Sequence, residues 1–186
     1  TIRKARVFAA TSSLIRLGLA LVDRYEAEKA HRGRLDYDDL ILKTRDLLTG
    51  DGVAPWVMYK LDGGIEHILV DEAQDTSAEQ WQVIAALAEE FFTGEGAVSA
   101  ERTLFVVGDE KQSIYSFQGA DPATFDVMRH QFEERALAAK KDWGNVPLDL
   151  SFRSTESVLD LVDRVFEPET ARKGLTASGD MVKHLV

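Results

Sequence analysis

Two short apolar runs, each ending in a carboxylate, constrain this chain most. His67-Ile68-Leu69-Val70 leads directly into Asp71-Glu72, and Leu104-Phe105-Val106-Val107 leads into Gly108-Asp109. Both are short and dense in branched or aromatic side chains, which is the character of buried parallel strands. Between them, Ser77-Ala78-Glu79-Gln80 has the spacing of a capping box, in which two side chains reciprocally bond backbone N–H groups at a helix start. The residues that follow put Trp81, Ile84, Leu87 or Ala88, and Phe91 on one helical face. Strand, helix, strand in this order predicts an α/β fold: a parallel sheet flanked by helices.

The flanking segments extend the pattern. Asp121-Pro122 reads as an N-cap followed by proline at the first helical position. The helix it opens should run to about Lys141, with Phe125, Met128, Phe132 and Ala136 inward. Residues 145–150 read as a third strand. A further helix, capped by Ser154 or Thr155, should bury Val158, Leu161, Val162 and Val165. Upstream, residues 12–31 predict a helix with Leu14, Leu17, Leu21 and Tyr25 on one face, ended at His31-Arg32-Gly33-Arg34. A second helix follows over residues 35–48, with Asp36 as its cap, and Gly50-Asp51-Gly52 and Pro55 mark a loop. Residues 94–100 read as an exposed loop, and beyond Pro168 the pattern fades.

Composition bounds the function. The 186 residues allow one domain or parts of two, and 45% hydrophobic residues suffice for a core. Asp and Glu number 32 against 22 Lys and Arg, for a net charge of −10. That balance argues against a dedicated nucleic-acid-binding module, which usually carries a basic face, but it permits local phosphate contacts. Cysteine is absent, which excludes disulfides and thiolate metal sites and fits a reducing cytoplasm. No uninterrupted apolar run approaches the ~20 residues that span a bilayer, so neither a membrane partner nor a signal peptide is expected. The chain begins at Thr1, which suggests a fragment of a longer protein.

Ligands of open α/β sheets bind beyond the carboxyl ends of the strands. There a carboxylate such as Asp71 can hold hydrated magnesium, and the next, Glu72, can take a proton from attacking water. An isolated Asp-Glu pair after a strand more often just begins a solvated turn. The longer string Ile68-Leu69-Val70-Asp71-Glu72-Ala73-Gln74-Asp75-Thr76-Ser77 is far more specific. It resembles motif II (Walker B) of the superfamily 1A DNA helicases, the UvrD/Rep/RecB group. Residues 107–120, Val-Gly-Asp-Glu-Lys-Gln-Ser-Ile-Tyr-Ser-Phe-Gln-Gly-Ala, resemble their motif III, and Leu148-Asp149-Leu150-Ser151-Phe152-Arg153-Ser154 resembles their motif IV. Leu35-Asp36-Tyr37-Asp38-Asp39-Leu40 is similar to a segment upstream of motif II. The order and spacing agree with the group, and within it the chain most resembles the AddA type of helicase–nuclease.

The resemblance implies a RecA-like P-loop motor core and ATP as substrate. Asp71 would bind Mg2+ and Glu72 would be the base for ATP hydrolysis. Gln74 would belong to the nucleotide site and, with Asp75 and Asp109, couple it to DNA. Gln112 would sense the γ-phosphate, as a neutral amide that donates to a phosphate oxygen without adding charge. Tyr115 and Phe117 would stack on single-stranded bases, against the alternative of core packing. Phe152 would pack on the nucleotide base, and Arg153 would reach the γ-phosphate as an arginine finger. By itself Arg153 reads as a surface arginine pairing with Asp149 or Glu156. Gln118 stands where the group often has arginine, and Ser151 where it often has asparagine. The partners implied are single- or double-stranded DNA, ATP and a second, AddB-like subunit.

The resemblance implies three parts: an accessory helical segment over residues 1–34, the second part of a first motor domain over 35–145, and the start of a second motor domain over 146–186. The phosphate cradle Gly-x-x-x-x-Gly-Lys-Ser/Thr occurs nowhere in the chain. In this group it lies ahead of motif II. The expected function is therefore a central fragment of an ATP-dependent 3′-to-5′ helicase of double-strand-break repair and recombination, inactive by itself. Two other readings are a metal-dependent nuclease using Asp71, Glu72, Asp75 and Asp109, and a non-catalytic acidic interaction module.

Overall fold

The computed structural model describes residues 2–50, 52, 54–62, 64–93, 102–114, 116, 119–148, 150–173, 175, 181 and 183–184. The chain divides into two compact units, residues 1–43 and 44–186.

The first unit holds helix α1 (Ile2–Arg32) and most of α2 (Tyr37–Thr49). Helix α1 begins ten residues earlier than its apolar stripe predicts, because residues 2–11 contain no helix breaker. Gly33 ends it with φ +60, the left-handed conformation that glycine adopts without penalty, and the Arg34 N–H closes back on Lys29 O. The predicted stripe of Leu14, Leu17, Leu21 and Tyr25 is exposed, and no residue of α1 is buried. This helix is long and apolar enough to cross a membrane by length and composition alone, with an 18-residue window of mean hydropathy 1.5. Uninterrupted runs missed it, because Ser12, Ser13 and Arg16 break the run without lowering the mean below that level.

Asp36 caps α2 as predicted. Its Oδ1 accepts from the Asp39 N–H at 2.9 Å, and Asp39 Oδ2 accepts from the Asp36 N–H at 3.1 Å. Lys29 Nζ sits among three carboxylates, Asp36 at 2.7 Å and Glu26 and Asp39 at 2.8 Å, so the end of α1 is tied to the start of α2. The hydrogen bond from Lys29, with that from the Asp39 backbone, holds the Asp36 carboxyl below the usual carboxylate range. Desolvation works to lower the Lys29 pKa, but its bonds to Asp36, Asp39 and Glu26 outweigh this and raise it. The Asp36 contribution is present above the unfolded carboxylate pKa of about 3.9 and is lost as pH falls through the folded value. The Lys29 contribution is present below about 10.4 and is lost as pH rises through the folded value. NMR shifts of Tyr25 and Gly33 should therefore be flat between roughly pH 5 and 9 and move in stronger acid. Lys29→Met should move that transition up toward the ordinary carboxylate range, because Asp36 still titrates there while bonded by the Asp39 N–H and the Tyr25 hydroxyl. A transition at unchanged pH in the variant would show that Lys29 does not hold the carboxyl.

In the second unit, α3 (Ala54–Asp62) follows the predicted loop, with Pro55 in its first turn, where a missing N–H costs nothing. Strands β1 (His67–Val70) and β2 (Thr103–Val106) pair in parallel, with Val70 opposite Val106. Helix α4 (Ala78–Thr93) connects them, and its capping box forms as predicted: the Ser77 N–H donates to Gln80 Oε1 at 2.8 Å and the Gln80 N–H to Ser77 Oγ at 3.3 Å. Helix α5 (Pro122–Ala138) is capped by the Asp121 carboxylate, which accepts from the Ala123 N–H. One face of the sheet (Ile68, Val70, Leu104, Val106) meets the buried cluster of Ala73, Trp81, Ala88 and Phe132, with Ile84, Phe92, Phe125 and Met128 around it. Trp81 stacks on Phe125 at 6.3 Å and tilts against Phe132 at 6.4 Å. Leu69 and Phe105, paired across the opposite face, are exposed.

Two expectations are corrected here. Residues 145–148 form no strand: Val146 and Leu148 are exposed, and a strand needs a ladder partner that no described residue offers them. Asp149 lies outside the described residues. Helix α6 (Glu156–Phe166) forms, but it buries Leu159, while Val158, Leu161 and Val165 of the predicted inner face are exposed. Thr155 holds its N-cap position without a side-chain bond. A short helix, α7 (Glu169–Arg172), follows.

Candidate functional site at the strand ends

Parallel pairing carries the two carboxylate ends to the same edge. The Val107 N–H donates to Val70 O at 2.9 Å, and the Ala73 N–H to Val107 O at 3.0 Å, so the chains leaving β1 and β2 stay laced together beyond the strands. Asp71 is exposed, and its Oδ1 accepts from the Glu72 N–H at 2.9 Å. Glu72 is also exposed and has φ 51 and ψ 44. A non-glycine residue in this left-handed conformation carries a steric cost and persists only where the surroundings enforce it. A single 3-10 turn follows (Ala73–Asp75), with Ala73 and Gln74 buried.

Gln74 is 1% exposed and has both ends of its amide engaged. Its Nε2 donates to Glu72 Oε2 at 2.7 Å, and its Oε1 accepts from the Asp109 N–H at 2.9 Å. Its backbone carbonyl accepts from Ser113 Oγ at 3.3 Å. Asp75 Oδ1 is buried and takes no hydrogen bond from the described residues.

On the second strand end, Asp109 caps the turn Glu110–Gln112, accepting from the Lys111 N–H at 3.1 Å. Its carboxylate also pairs with Lys111 Nζ at 2.8 Å and accepts from Gln112 Nε2 at 3.0 Å. Burial works to raise the Asp109 pKa, but hydrogen bonds from Lys111 and Gln112 and the Lys111 charge outweigh it and hold the carboxyl below its ordinary range. Asp109 is thus charged at neutral pH and held in place, with a neutral amide, Gln112, exposed at the rim of the site.

The other predicted residues stand apart from this cluster. Phe152 is 88% exposed, and Arg153 is exposed with no hydrogen bond or ion pair among the described residues. Tyr115 and Phe117 lie outside the described residues, as does Gln118. Sequence reasoning assigned no role to Gly108 or Ser113, both of which touch Gln74. Glycine at a strand end, directly before a carboxylate, was the available signal of close backbone approach.

The donor set suits magnesium held with nucleotide. Asp71 offers a carboxylate at an open strand end with Oδ2 unengaged among the described residues. Mg2+ typically takes one or two carboxylates and fills its remaining positions with water and phosphate oxygens. Among the described residues no group of three or more His, Asp or Glu side chains gathers as a stand-alone metal site.

Comparison with known proteins gives the same family as the resemblance. Residues 8–133 match the model of the UvrD/REP helicase N-terminal domain. The chain is 32% identical over 157 residues to a subunit of the ATP-dependent helicase/nuclease of Lactobacillus acidophilus, covering 84% of this chain and 12% of that protein. It is 33% identical over 155 residues to the corresponding subunit of Natranaerobius thermophilus, covering 83% of this chain and 11% of that protein. With the ATP-dependent DNA helicase PcrA of Leuconostoc citreum it shares 32% identity over 151 residues, 80% of this chain and 17% of that one. The chain therefore spans about an eighth of the length of such relatives, and it belongs to the UvrD/REP helicase N-terminal domain family.

Proposed function

We propose that this chain is part of an ATP-dependent 3′-to-5′ DNA helicase of double-strand-break repair, of the AddA helicase–nuclease kind, with a RecA-like core. The observation that carries the reading is the lacing of two strand ends into one cluster: Asp71 and Glu72 from β1, Asp109 and Gln112 from β2, joined through Gln74. Glu72 takes the proton of the attacking water. Gln112 donates to the γ-phosphate and orients that water. Asp71 holds magnesium, which when bound neutralises phosphate charge. Arg153, free of ion pairs among the described residues, is available to reach the γ-phosphate from a second motor domain. Phe152 offers an exposed ring to the nucleotide base, and Tyr115 and Phe117 offer rings to single-stranded DNA. Asp75 and Asp109 couple the two sides. The division into residues 1–34, 35–145 and 146–186, a cytoplasmic location and a second, AddB-like subunit belong to the same reading.

Asp109 spends both carboxylate oxygens on protein donors, which favours the motor over a nuclease built on Asp71, Glu72, Asp75 and Asp109. The 186 residues contain no phosphate cradle, so the chain by itself should release no phosphate from ATP above background, with or without single-stranded DNA. The intact protein should do so in a DNA-dependent way. A malachite-green phosphate assay on both preparations decides it. DNA-stimulated hydrolysis by the chain alone would overturn the fragment reading. Magnesium-dependent DNA cleavage by the chain without ATP would overturn the motor reading itself.

A further inference from the structure

Gln74 is too deeply buried to touch a nucleotide, yet its amide is the side-chain link, among the described residues, between Glu72 and the second strand end. We propose that Gln74 is the positioning residue that aims the Glu72 carboxylate, and that Gly108 is kept without a side chain so that Gln74 can do so. The proposal rests on the reading of Glu72 as the base.

A primary amide has a donor end and an acceptor end. The Asp109 N–H donates to Oε1 at 2.9 Å, and this decides which end faces which strand. Nε2 is thereby turned to Glu72 and donates to Oε2 at 2.7 Å. One carboxylate oxygen is pinned, and the other is left to take a proton. The donor is neutral, so it orients the carboxylate without placing a further charge beside it. The left-handed backbone of Glu72 sets the direction from which the side chain departs.

Gly108 is not there for its backbone: its φ lies outside the left-handed region, which among the described glycines only Gly33 and Gly119 occupy. Space is the reason. A Cβ on Gly108 would lie 2.8 Å from Gln74 Oε1, 3.0 Å from Ala73 Cβ and 3.1 Å from Ala73 N. Ala73 is fully buried, and its N–H is bonded to Val107 O, so it cannot retreat. Any side chain at 108 therefore displaces the Gln74 amide from the Asp109 N–H. The same Asp109 holds Gln112 through its carboxylate, so the aim of the base and the position of the γ-phosphate sensor share one anchor.

The test measures kcat and KM for ATP of the intact protein for Glu72→Gln, Gln74→Leu, Gly108→Ala and the Glu72→Gln, Gln74→Leu double variant. Gln74→Leu and Gly108→Ala should each lower kcat by about ten- to a hundredfold, the effect of losing one charge-assisted hydrogen bond, with KM for ATP unchanged. In a Glu72→Gln background, Gln74→Leu should have no further effect. Wild-type kcat in Gln74→Leu or Gly108→Ala, a loss that falls on KM instead of kcat, or losses that multiply in the double variant would each overturn the proposal. Wild-type turnover in Glu72→Gln would instead overturn the assignment of the base, and with it the proposed function.

Discussion

Glu72→Gln in the intact protein is expected to lower DNA-stimulated ATP turnover by about 10²–10⁴-fold, the usual worth of a general base. The substitution changes little else. Glutamine matches glutamate in size, so the left-handed backbone at this position faces no new steric demand. Its carbonyl oxygen can still accept from Gln74 Nε2, so the buried amide keeps its partner. What is lost is the affinity for a proton. Nucleotide binding should persist, since Asp71 is untouched, and equilibrium binding of a fluorescent ATP analogue would show it. Glu72→Ala is a poorer probe: it strands the Gln74 N–H in a buried setting, at a cost of about 1–3 kcal/mol. Hydrolysis at the wild-type rate in Glu72→Gln would place the base elsewhere.

Trp81→Ala should be the most destabilising single change in the second unit, by about 3–5 kcal/mol. Trp81 is 1% exposed, stacks on Phe125 and leans on Phe132, so its removal opens a cavity between α4 and α5 beneath the sheet. Its indole N–H is buried without a partner among the described residues, so the loss is one of packing and transfer and no hydrogen bond goes with it. For that reason Trp81→Phe should cost far less, about 1 kcal/mol, since a ring remains and an unsatisfied donor disappears. Urea unfolding followed by far-UV circular dichroism would measure both. Equal losses for the two variants would contradict this account of the site. Ala73, which adjoins Gln74 in sequence, belongs to the same core cluster, so softening at Trp81 should also loosen the strand-end cluster.

Local chemistry was legible in the sequence. The caps at Asp36, Ser77 and Asp121 involve side chains and N–H groups two or three residues apart, and each forms as the residue types require. The strands β1 and β2 were legible because a short run of branched and aromatic residues leading to a carboxylate has few other uses in an α/β chain. The partners of Gln74 were not. Its bond to Asp109 spans 35 residues of sequence, and nothing local in Ala73-Gln74-Asp75 says which of two amide ends will face which strand. Helix α6 shows another limit. Val158, Leu161 and Val165 repeat at helical spacing, yet all three are exposed. Periodicity identifies an apolar face but not what covers it. The same holds for Leu14, Leu17 and Leu21 of α1.

The parallel pairing of β1 with β2 also has a consequence in time. Val70 and its partner Val106 are separated by 36 positions, as are His67 and Thr103. At a synthesis rate of about 5–20 residues per second, β1 leaves the ribosome about 2–7 seconds before the strand that completes it. Until β2 arrives, Ile68 and Val70 can lean only on α4 as it emerges and have no ladder partner, and Gln74 has Glu72 but not Asp109. The acidic end of β1 therefore emerges first, and the cluster acquires its final geometry only when Gly108 and Asp109 arrive.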